Sequence, residues 1–68
     1  MRVISKMDAI DEIMRVVEAG DMARANKMIR VVMDFINEEK IAKKNSGIIE
    51  LKSHEQEMLF CEILNGEK

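Results

Sequence analysis

Residues 22–36 read MARANKMIRVVMDFI, and this stretch decides the fold. Met22, Ala25, Ile29, Val32 and Ile36 follow one another in steps of 3, 4, 3 and 4, the spacing of one apolar stripe on a helix. Met28, Val31 and Phe35 form a second stripe beside it, and Met33 widens the apolar side further. A surface that broad needs cover from more than one neighbour. The spacing predicts the central helix of a small all-α domain.

On the N-terminal side, Met7, Ile10, Met14 and Val17 repeat the helical spacing, with Ile13 beside them. Ser5 precedes them with Asp8 three residues on, an acidic variant of the capping box, so a first helix is expected over about 6–19. Gly20 stands where a left-handed residue stops a helix, and Asp21 is a good N-cap for the next one. So short a junction predicts a helical hairpin over about 6–44, its two apolar stripes facing each other. Residues 1–4 fit a frayed lead-in or an edge strand.

On the C-terminal side the pattern turns polar, and Glu39 and Lys43 are spaced for an i, i+4 pair. The second helix is expected to run over about 22–44. Asn45, Ser46 and Gly47 then read as a flexible joint. Residues 48–51 fit a short extended segment better than a first helical turn, without deciding between them. Ser53 and Gln56 form a further capping box, predicting a third helix over about 54–64. That helix is apolar almost all round from Met58 to Leu64, so it must be covered on most sides. Gly66 ends it, and Glu67 and Lys68 form a tail.

The chain has 68 residues, a single domain's worth, and a core of that size rarely supplies more than about 3–5 kcal/mol. With one cysteine, Cys61, no internal disulfide can form, and no Cys/His cluster is present to bind zinc. Helix packing or a second subunit must therefore supply the stability. The formal net charge of -2 gives little support to a general nucleic-acid binder, and the negative excess lies in residues 38–68. No apolar run suits a signal peptide or a membrane span, and a lone thiol suits a reducing compartment, so a cytoplasmic protein is expected.

Chemistry-bearing clusters are sparse. His54 and Glu57 have the spacing of two metal ligands, but a single pair is not a site. Cys61 sits in an apolar run and reads as a small buried side chain. The acid pairs Asp11-Glu12 and Glu38-Glu39 are adjacent, so they diverge around a helix instead of converging on a substrate. Neither catalysis nor a cofactor is expected.

Two readings remain. Six methionines beyond Met1 lie mostly on apolar faces, and flexible Met side chains suit adaptable protein-binding surfaces. The central helix carries more apolar side chains than two short partners can cover. The leading expectation is therefore a non-enzymatic protein-interaction module, a small regulator, adaptor or inhibitor. It binds itself as a homodimeric helical bundle, and an unidentified protein, through Met28, Val32, Met33, Phe35, Ile36, Met58, Phe60 and Leu64. The alternative is a dimeric nucleic-acid-binding regulator using Arg24, Lys27 and Arg30, which recur every third residue on a helix that follows a tight turn.

Overall fold

Each of the first helices begins where a short polar side chain can take one of its free amides. In the computed structural model, which describes residues 2–66, helix α1 spans Lys6–Glu18. The Ser5 hydroxyl accepts from the Asp8 amide at 2.9 Å. Gly20, at a φ of 85°, turns the chain, and its amide donates to the Val17 carbonyl at 2.9 Å. Asp21 then accepts from the Arg24 amide at 3.2 Å and opens α2, Met22–Ala42. The expected helical hairpin is present, with each helix ending one or two residues early. The expected tail, Glu67 and Lys68, lies outside the described residues.

The fold is not all-α. Strand β1, Arg2–Ser5, and strand β2, Ile48–Leu51, form a two-stranded antiparallel sheet. The register pairs Arg2 with Leu51, Val3 with Glu50, Ile4 with Ile49 and Ser5 with Ile48. Side chains alternate across a strand, so Ile4, Ile49 and Leu51 point inward together and are buried. Val3, Ile48 and Glu50 point outward. Helical spacing could not reveal this sheet, because each strand has only four residues and its partner lies more than forty positions away. The stretch 48–51, open from the sequence, is a strand.

The segment 45–47, expected as a flexible joint, makes several hydrogen bonds to the hairpin. Lys43 ends α2 in the left-handed region at a φ of 57°, and the Lys44 amide donates to the Glu39 carbonyl at 2.8 Å. The Ser46 amide and hydroxyl both donate to the Glu39 carboxylate, at 3.1 and 2.8 Å. The Lys6 amide donates to the Gly47 carbonyl at 2.9 Å, carrying the strand ladder one step further.

The single third helix expected over 54–64 is two helices, α3 (His54–Leu59) and α4 (Cys61–Gly66). The break falls at Phe60, whose φ of -111° and ψ of 24° leave the helical region. Phe60 is fully buried at that corner. It completes a core of Ile4, Ile49 and Leu51 from the sheet, Ala9 and Val16 from α1, and Ala25, Met28 and Val32 from α2.

Lys43 is the one non-glycine residue with positive φ among those described. A side chain in that conformation opposes helix termination, which glycine tolerates freely. Lys43→Gly is expected to raise stability by about 0.5–1 kcal/mol in urea unfolding. A loss would show that Lys43 does not hold this conformation in solution.

Candidate protein interface

The stripe Met7, Ile10, Met14 and Val17 on α1 does not face the core. Ala9, Glu12 and Val16 do, and the larger side chains stay outside. On α2 the core takes Ala25, Met28 and Val32, while Met22, Ile29, Met33 and Ile36 remain exposed. The two outward rows lie side by side on the hairpin. Between them runs a groove of about 220 Å³, lined only by Ile10, Ile13, Met14, Ile29, Val32 and Met33. Met14 and Met33, the flexible side chains of the groove, are 57% and 59% exposed. Among the described residues no other element covers this side.

The eight expected interface residues are distributed over several surfaces. Met33 and Ile36 belong to the exposed face, and Val32, buried, forms part of the groove floor. Met28 and Phe60 are fully buried in the core. Phe35 is half-buried on another side of α2, beside Ala42 and Ile48. Met58 is exposed on α3, and Leu64 is half-buried against the core from α4. Ile10, Met14, Val17 and Ile29, whose helical spacing suggests the inside of the hairpin, lie on the exposed side as well.

The basic residues of α2 have different surroundings. Arg24 donates to the Leu59 carbonyl at 2.8 Å, closing the end of α3, and lies 3.7 Å from Glu62. Lys27 and Arg30 line a groove of about 450 Å³ between α2 and α3, together with the acids Asp34 and Glu55. The three bases therefore do not present one uniform positive surface. His54 is exposed at the start of α3, and Cys61 is a free, half-buried thiol. No group of three or more potential metal ligands occurs among the described residues. No helix described is long and apolar enough to cross a membrane.

Two buried carboxylates have opposite electrostatic settings. Glu39 does not pair with Lys43, as its spacing suggested. It receives the Lys6 ammonium at 2.6 Å and both Ser46 donors, which hold its pKa down to about 2. Glu12 is fully buried; one oxygen accepts from Arg15 at 2.7 Å, while Oε2 has no donor. Burial and the facing carboxylate of Glu62 raise the Glu12 pKa, and Arg15 only partly opposes them. Arg24 and Asp21 line the same small cavity.

No protein-family model matches the chain, and no curated protein or solved structure shows significant similarity to it.

The two carboxylates give opposite pH dependences. Glu39 binds a proton more weakly when folded than when unfolded, so its stabilisation is complete above its ordinary pKa of 4.5 and disappears as pH falls toward 2. Glu39→Gln should flatten that acid limb of the melting temperature. Glu12 binds a proton more strongly when folded, so its contribution favours folding at low pH and is lost as pH rises through its raised value. Glu12→Gln should stabilise the protein at pH 7 by on the order of 1 kcal/mol, because a buried acceptor without a donor is expensive. Below pH 4.5 the gain should vanish. Thermal melts from pH 2 to 8 check both; a Glu12→Gln protein that melts lower at pH 7 contradicts the assignment.

Proposed function

We propose that this chain is a small non-enzymatic protein-interaction module, a regulator, adaptor or inhibitor, whose binding surface is the Met-rich outer face of the α1–α2 hairpin. One observation carries this reading. Ile10, Met14, Ile29 and Met33 line an apolar groove, Val17 and Ile36 extend the exposed rows, and no other element among the described residues covers them. Contiguous exposed apolar surface on so small a domain marks a contact site. The methionines suit it to a partner helix, because an unbranched, polarizable side chain can repack against different shapes. The lone thiol fits a reducing, cytoplasmic setting.

Nucleic-acid contact through Arg24, Lys27 and Arg30 has less support. Arg24 is engaged by Leu59 and Glu62, and Asp34 and Glu55 would meet an incoming phosphate with like charge.

The test is a photo-crosslinking amino acid placed at position 33, on the face, and at position 41, exposed outside it. In the native host, position 33 is expected to give a discrete protein adduct, lost on Met14→Glu, and position 41 none. Absence of any adduct at position 33 overturns the reading.

A further inference from the structure

We infer that the occupant of the hairpin face is a second copy of this chain, related by a two-fold axis parallel to the helices, so that α1 of each protomer lies on α2 of its partner. This rests on the reading of that face as an interface and names its partner.

The first argument is area. With Met7 and Met22 at its ends, the residues of the face expose roughly 800 Å² in all, so a partner covering most of it would approach one side's share of a standard interface. The hairpin is also the right shape. Two layers of two helices, packed through a shallow lengthwise groove, make a four-helix bundle. The groove between Ile29 and Met33 on one side and Ile10 and Met14 on the other is apolar throughout, so it accepts the ridge of an identical hairpin without stranding a polar group.

The second argument is charge, and it also selects the orientation. Asp11 and Glu18, seven residues apart, hold the outer edge of α1 beside the apolar row. Asn26, Arg30 and Asn37 follow the apolar row on the outer side of α2, and the first two also line the groove toward α3. The α1 edge therefore carries two acids with Arg15 beyond them, and the α2 edge carries one base with Asp34 beyond it. Among the described residues Asp11, Glu18 and Arg30 are exposed and have no ion-pair partner. Two copies can stack in two simple ways. A two-fold axis perpendicular to the helices sets α1 on α1, and acids then face acids. An axis parallel to the helices sets α1 on α2, and Asp11 of each copy then faces the edge that carries Arg30 of the other. The hairpin is antiparallel, so Asp11 and Arg30 stand at similar heights along it. The second arrangement sets these two opposite charges against each other.

Sedimentation and light scattering on the full chain test the proposal. Twice the chain mass is expected at tens of micromolar and above, as for an interface of this size. Met33→Glu should weaken the dimer by about tenfold or more while helical circular dichroism persists, because Met33 lies outside the core. Asp11→Arg and Arg30→Asp should each weaken it about threefold, and combining them should restore it. A single-chain mass at about 100 µM overturns the second copy at an affinity the interface area should exceed. Singles that weaken without restoration by the double overturn the parallel axis. The crosslink at position 33 separates the two levels of the argument: an adduct of two identical chains supports both, and an adduct with a different protein alone removes only the second copy. No adduct removes both.

Discussion

The Glu39 carboxylate holds both ends of the hairpin at one place. It takes the Lys6 ammonium from the start of α1 and two hydrogen bonds from Ser46 in the segment leaving α2. The Lys6 amide meets the Gly47 carbonyl beside it. This junction fixes where the chain re-enters after the long helix. The register of β2 against β1 follows, and with it the inward placement of Ile4, Ile49 and Leu51. An isolated two-stranded ribbon is marginal in water, so the sheet depends on the helices it covers. The helices in turn gain from the sheet a lid that their own short partners could not supply.

That lid determines which apolar side chains remain outside. The sheet, α3 and α4 all contribute to one core, where Phe60 reaches the centre because the last helix breaks at it. The inner positions of the hairpin include two alanines, Ala9 and Ala25, which are fully buried beside Met28, while Ile10, Met14, Ile29 and Met33 lie on the opposite side. The exposed face is thus a consequence of how the core is built. A domain of this size has too few elements to cover the hairpin on both sides.

Buried charge is handled unevenly. Glu39 is saturated with donors and behaves as a structural ion. Glu12 keeps one oxygen without a donor and faces the carboxylate of Glu62. Arg24, half-buried between them and the end of α3, links α2 to the last helices through Leu59 and Glu62. Its position explains why a basic row on α2 is not equivalent to a free basic surface. Among the described residues, the hairpin charges without an ion-pair partner include Asp11 and Glu18 beside the apolar face and Lys27, Arg30 and Asp34 toward the α2–α3 groove.

Local sequence determined the parts of this protein that depend on residues close together in the chain. Ser5, Asp21 and Ser53 cap their helices, Gly20 turns the hairpin, and the 3- and 4-residue steps mark α1 and α2. Those signals act within one or two turns, and they were legible. Met33 and Ile36 were legible as part of a broad apolar side, and both are exposed. Only the tertiary structure decided the sheet, the break at Phe60 and the side of each helix that faces inward. Periodicity states that a helix has an apolar side; it does not state which of two adjacent apolar rows is covered. That choice was made by β2, forty positions and more from β1, and by Glu39 bonding to Lys6 instead of to its near neighbour Lys43. Long-range pairing of this kind leaves no local trace, so Met28 and Phe60 went to the core while Ile10, Met14 and Ile29 stayed on the surface.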